Sequence, residues 1–144
     1  DYRADLMRQS WIVFWRHPWF GSSDYMETPE MEVMRQGQGI IDIVNTYVEI
    51  ALEYGLAGLF FFVLTFFGLL LRCYFILPRI PRDEVDLLRM GRVLFATLTA
   101  IVLMIGTVSS ISYIPYFYWV FAGITVAYLN VTEKTIQARK TSLL

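Results

Sequence analysis

The chain has 144 residues, 56% of them hydrophobic and 17% charged, with a net charge of −1. A mean hydropathy of +0.49 is too apolar for an ordinary soluble domain, and the few, scattered basic residues give no footprint for a nucleic acid. One histidine and one cysteine, Cys73, leave too few ligands for zinc and no intrachain disulfide.

In chain order, residues 4–17 (ADLMRQSWIVFWRH) lack Gly and Pro. They predict an amphipathic helix at a membrane surface, stopping at His17-Pro18 because a residue before proline avoids the helical region. Gly21-Ser22-Ser23-Asp24 reads as a turn. Thr28-Pro29-Glu30 reads as a helix start, with Thr28 as N-cap and Glu30 and Glu32 near the positive dipole end. That helix is expected to end at Gly37, with Asp42 capping the next one.

The stretch Gly39 to Gly58 opens the first long apolar run yet carries Asp42, Asn45, Glu49 and Glu53 at i, i+3, i+7 and i+11. At ~100° per residue these fall within roughly 80°, a single polar stripe. Ionisable groups entering a membrane helix are costly and face a bundle interior or a wet cavity, so the stripe marks a candidate site. Asp42 and Asn45 are its leading members, Asp42 or Glu49 being a base for an acceptor hydroxyl and Glu53 a structural partner. The competing reading pairs all four with polar groups of other helices. Gly55, Gly58 and Ala51 form a small-residue face for close helix packing.

Tyr54–Leu71 carries no charge over 18 residues and Val93–Thr132 none over 40. The second run is long enough for two passes, broken at Ser109–Pro115. The fold class is therefore all-α: a polytopic membrane helical bundle fragment with three transmembrane helices (about 44–72, 93–110 and 115–132). They follow an outer segment, 1–43, with short interfacial helices. Opening at Asp1 without a leader pattern, and with a stripe in want of partners, the chain reads as the C-terminal piece of a longer protein whose N-terminal helices complete the bundle. The 73–92 loop and the 133–144 tail are rich in Arg and Lys, which places them in the cytoplasm and residues 1–43 in the periplasm of a bacterium. Trp11, Trp15, Trp19 and Phe20, and Tyr113, Tyr116, Tyr118 and Trp119, form the aromatic belts of the outer face.

Among the outer cations, Arg3 and Arg35 are candidates to grip a diphosphate, since a guanidinium fork holds phosphate oxygens two at a time. Pairing with Asp5, Glu32 or Asp42 is the plainer alternative. Arg8 and Arg16 read as solvated or headgroup contacts. His17, the only histidine, is a weaker candidate for a general base. The carboxylates Asp24, Glu27, Glu30 and Glu32 lack the spacing of a calcium loop, and no metal or cofactor is expected.

Arg3, then HPWFGS at 17–22, then VNTYVEIALEYGLAGL at 44–59 together resemble the C-terminal part of the O-antigen ligase and O-antigen polymerase superfamily. Pro18 and Gly21 match its P-x-x-G turn, and Asn45, Tyr47, Glu53, Gly55 and Gly58 match its following helix. EMEVMRQGQGIIDIVNTY (30–47) resembles a sphingomonad-type exopolysaccharide or O-antigen subgroup. The resemblance covers roughly residues 2–72. It implies a multi-pass inner-membrane protein acting in the periplasm on glycans carried by undecaprenyl diphosphate, and transferring them to a glycan or lipid-core acceptor without a cofactor. It assigns Arg3, and more weakly Arg35, to the lipid diphosphate. Ligases of that family carry a catalytic histidine where this chain has Val44, which favours a polymerase or a carboxylate base such as Asp42. A transporter or channel subunit lined by the stripe, and a membrane scaffold, are the alternatives from other classes.

Overall fold

The computed structural model describes residues 2–35, 41, 43, 45–108 and 113–142. Its elements are α1 (Tyr2–Phe14), a 3₁₀ turn (Tyr25–Glu27), α2 (Pro29–Glu32), α3 (Thr46–Ile76), a second 3₁₀ turn (Leu77–Arg79), α4 (Val85–Met104) and α5 (Ile114–Ser142). No strand occurs among the described residues. The segments Thr46–Arg79, Val85–Met104 and Ile114–Ser142 are long and apolar enough to cross a membrane, so this is a helical membrane protein. Only 17% of the most apolar window of α4 is buried, which leaves its apolar surface to lipid or to further helices. The chain forms two compact units, residues 1–63 with 104–112 and residues 64–103 with 113–144.

In the first unit, α1 ends at Phe14 rather than at His17. The amides of Arg16 and His17 bond back to Val13 and Phe14 (3.1 and 3.2 Å), an i→i−3 tightening that closes the helix before Pro18. Leu6 and Val13 of α1 pack with Tyr25, Met31, Met34, Ile41, Ile43 and Leu52 into one buried cluster, which ties the short helices to the start of α3. Thr28 takes the N-cap position of α2, but its hydroxyl donates to the Tyr25 carbonyl (2.8 Å) instead of capping. Gly37, Asp42, Val44 and residues 109–112 of the expected Ser109–Pro115 break lie outside the described residues.

Helix α3 is broken at Gly55, whose φ of 68° and ψ of −166° belong to a region open essentially to glycine alone. A break strands amides and carbonyls that apolar surroundings cannot satisfy. Here the Pro18–Ser22 turn satisfies them. The Pro18 and Trp19 carbonyls accept from the amides of Leu56 and Ala57 (2.8 and 3.2 Å), and the amide of Ser22 donates to the Leu52 carbonyl (2.9 Å). Gly21, also at φ 68°, meets the backbone of Glu53 and Gly55, while Gly55 meets that of Trp19 and Phe20; a Cβ on either glycine would collide with the opposing chain. Gly55 thus makes a backbone interlock, a closer approach than the expected helix-packing face. The 21 residues from Leu56 to Ile76 span about 31 Å, enough for the hydrocarbon layer without the first half of α3.

In the second unit, Phe66 stacks edge-on against Tyr118 (5.7 Å between centroids) and tilts on Trp119 (5.5 Å). The Tyr128 hydroxyl donates to the Leu87 carbonyl (2.9 Å), a close approach that leaves no room for a side chain at Gly91. Cys73 is fully buried. Arg72–Glu133 (2.6 Å) and Arg139–Asp83 (2.7 Å) fasten the ends of these helices together.

Candidate functional site

Residue spacing on α1 builds one wall of the site. Arg3, Leu6, Met7 and Ser10 stand at i, i+3, i+4 and i+7, one helical face. With Ile43, Asn45 and Val48 they line a cavity of about 110 Å³. Ser10 is only 2% exposed, and among the described residues its hydroxyl oxygen has no hydrogen-bond partner. A buried hydroxyl left unmet costs about 1–3 kcal/mol, so such a group calls for an explanation.

Asn45 reaches this cavity in a way its spacing does not convey. It precedes the helix as its N-cap, since α3 begins at Thr46, and its carbonyl accepts from the Glu49 amide (3.1 Å), which sets it one turn ahead of Glu49. Its Oδ1 accepts from the amides of Tyr47 (3.0 Å) and Val48 (3.3 Å), capping the helix, a role for which asparagine is among the best residues. The side-chain NH₂ remains the group it can offer a ligand. Thr46 is buried beside it; its amide donates to the Ile105 carbonyl (3.0 Å) and its hydroxyl to that of Val108 (3.3 Å), which anchors the helix start. Of the stripe, Glu49 and Glu53 lie within the helix itself and Asn45 at its cap.

Both carboxylates are half-buried and lie in the electrostatic surroundings of Tyr25, a residue that no spacing pattern singled out. Burial first, then Glu49, Glu53 and Tyr54, raise the Tyr25 phenol well above the ordinary tyrosine range. Tyr25 therefore stays protonated, a fixed neutral donor next to two acids.

The remaining sequence candidates are elsewhere. Arg35 is exposed and grips Glu32 with two bonds, Nε to Oε2 at 2.7 Å and NH2 to Oε1 at 2.8 Å. That pair lowers the Glu32 carboxyl pKa and raises that of Arg35, so the plainer reading of Arg35, an i,i+3 ion pair, is the one observed. Arg16 is exposed and pairs with Glu30. His17 is exposed in the turn, where its carbonyl accepts from the Gly21 amide (2.9 Å). Asp42 lies outside the described residues. Among the described residues, no three His, Cys, Asp or Glu side chains gather to hold a metal.

Beside this cavity runs an apolar groove of about 450 Å³. Trp11, Phe14 and Trp15 of α1 form one side, and Ala51, Leu52 and Leu56 of α3 the other; Met7, Ser10 and Val48 belong to both cavities. The arrangement suits an amphipathic ligand, with a polar group against Arg3, Ser10 and Asn45 and a hydrocarbon along the tryptophans. Searches against protein-family models, curated proteins and solved structures found no match to this chain.

Proposed function

We propose that this chain is part of a bacterial inner-membrane glycan transferase that uses an undecaprenyl-diphosphate-linked donor. It acts on the periplasmic side, as an O-antigen or exopolysaccharide polymerase in preference to a ligase. The observation that carries the proposal is a cavity with Arg3, Ser10 and Asn45 in its otherwise apolar lining, which shares Met7, Ser10 and Val48 with an apolar groove, an arrangement that can hold a phosphate group beside a hydrocarbon chain. The Pro18–Gly21 turn and the Gly55 helix carry the sequence resemblance, and their direct bonding gives further support.

The reaction needs little from the protein beyond charge and position. The acceptor hydroxyl attacks the anomeric carbon, the bond from that carbon to the diphosphate oxygen breaks, and the leaving diphosphate departs with the electron pair. Arg3 balances the charge that gathers on it. The Asn45 NH₂ donates to a ligand oxygen; with Oδ1 engaged in the cap, this side chain has no part as a base. The acceptor proton goes to a carboxylate, Asp42 or Glu49. Val44 in place of a ligase-type histidine favours the polymerase.

A transporter draws support from the break in α3, since discontinuous helices line many transport paths. Against it, the amides of Leu56 and Ala57 and the carbonyl of Leu52 are taken by the Pro18–Ser22 turn and so are not offered to an ion. The deciding experiment is a gel profile of surface and lipid-linked polysaccharide in a strain lacking the full-length gene, complemented with wild type or Arg3→Ala. Single repeat units in place of a ladder identify a polymerase; long chains stranded on the carrier identify a ligase. A ladder restored by Arg3→Ala removes the diphosphate role, and an unchanged profile in the deletion strain removes the transferase reading.

A further inference from the structure

The uncharged run of α3 ends at Leu71 and that of α5 at Thr132. Immediately beyond both, the two helices enclose a cavity of about 370 Å³, within the range of small-ligand sites. Arg72 and Arg79 stand at i and i+7 on one helix stretch and its closing turn. Glu133, Ile136 and Lys140 stand at i, i+3 and i+7 on α5, so each element turns one face to the cavity. Phe75, Ile76 and Ile136 supply its apolar side.

The charges there are unevenly matched. Glu133 is held by Arg72 (2.6 Å), and the nearby Asp83 by Arg139 (2.7 Å). Arg79 and Lys140 are exposed, and among the described residues neither pairs with a carboxylate. Three cations, Arg72, Arg79 and Lys140, against the single Glu133 leave the lining with a net charge of +2. A doubly positive cleft with an apolar floor, placed where two membrane helices leave the hydrocarbon, is complementary to one ligand class.

We propose that this cleft is a binding site for the headgroup of an anionic phospholipid. Its phosphate lies between Arg79 and Lys140, and an acyl chain runs back along Phe75 and Ile136. Arg72, already committed to Glu133, orients the carboxylate away from the phosphate and keeps the two helix ends in register. The site is independent of the donor cavity in the first unit and of the chemistry proposed for it.

The test uses the full-length protein in mild detergent, with native mass spectrometry counting the lipids it retains from added phosphatidylglycerol or phosphatidylcholine. Wild type should retain one phosphatidylglycerol per protomer in preference to phosphatidylcholine. In Arg79→Gln/Lys140→Gln, which leaves both ion pairs intact, that lipid should bind about thirty-fold more weakly, the combined worth of two basic side chains at a membrane surface. Arg89→Gln/Arg92→Gln removes two exposed arginines of α4 that do not line the cleft and should match wild type. Equal retention of both lipids, no loss in the Arg79/Lys140 variant, or the same loss in the Arg89/Arg92 control would each overturn the site. Displacement of the lipid by equimolar glycerol phosphate would overturn it too, by making a soluble phosphate the ligand.

Discussion

Replacing Gly55 with alanine tests the interlock between the outer turn and the broken helix. Alanine at φ 68° and ψ −166° is strained by about 1–3 kcal/mol. Its Cβ would also meet the backbone of Trp19 and Phe20, so the turn must withdraw. Withdrawal gives up the three hydrogen bonds of Pro18, Trp19 and Ser22 to α3, about 1 kcal/mol each. The sum, about 4–6 kcal/mol, is at the top of what single substitutions do. Gly68→Ala, in the same helix with open space around an added Cβ, is the matched control and should gain up to about 1 kcal/mol from helix propensity. The assay is thermal unfolding of the full-length protein in detergent, with limited proteolysis of the 15–28 region as a local readout. Gly21→Ala should resemble Gly55→Ala, and the double variant should be much less than additive because both substitutions dissolve the same contact. If Gly55→Ala melts alongside Gly68→Ala and its turn stays protease-resistant, the interlock does not hold the site.

Substitutions at three further positions separate structure from chemistry. Ser10→Ala removes a buried hydroxyl without a partner among the described residues, so stability should hold or rise by about 1 kcal/mol while, on the proposed function, polysaccharide chain length falls in complemented cells; unchanged chain length would remove Ser10 from the proposed donor site. Asn45→Asp preserves an acceptor for the Tyr47 and Val48 amides but loses the NH₂ donor, whereas Asn45→Ala loses both and about 1 kcal/mol of cap. Melting should therefore follow wild type in Asn45→Asp and fall in Asn45→Ala, with activity lost in both. The Asp83 carboxyl sits below its ordinary value of 3.8 because of Arg139. Its contribution to stability is present above pH 3.8 and is lost as pH falls through the lowered folded value. Wild type and Arg139→Gln should thus differ near neutrality and converge in acid, as melting curves against pH will record.

The spans were legible because hydropathy is a local property: runs of 18 and 40 uncharged residues leave few alternatives to the bilayer. The break at Gly55 was not. GLAGLFFF reads as uninterrupted helix, and the groups that make a break tolerable belong to a turn more than thirty residues upstream. Asn45 was singled out by its spacing to Glu49 and Glu53, while its part as the cap of a helix that starts at Thr46 went unread, although an asparagine before the first helical residue carries that signal in its own cap preference. Arg35 shows the reverse case, as its spacing to Glu32 already described the pair that forms. Ser10 and Tyr25 escaped notice because a neutral hydroxyl acquires significance only through burial, which spacing along the chain does not report.

The two halves of α3 answer to different demands, and Gly55 is where they part. Below it, 21 residues meet the thickness of the hydrocarbon and carry few polar groups. Above it, a nine-residue helix from Thr46 to Tyr54 holds Glu49 and Glu53, capped by Asn45 at one end and by the Ser22 amide at the other. Freed from the spanning half, this segment can present carboxylates at the membrane surface without drawing them into lipid, where each would cost several kcal/mol. The same separation lets α1 lie against it and close the cavity of Arg3, Ser10 and Asn45 beside the apolar groove. A continuous helix would have forced a choice between burying the acids and shortening the span, so the glycine pair is the structural condition for a polar site on this helix.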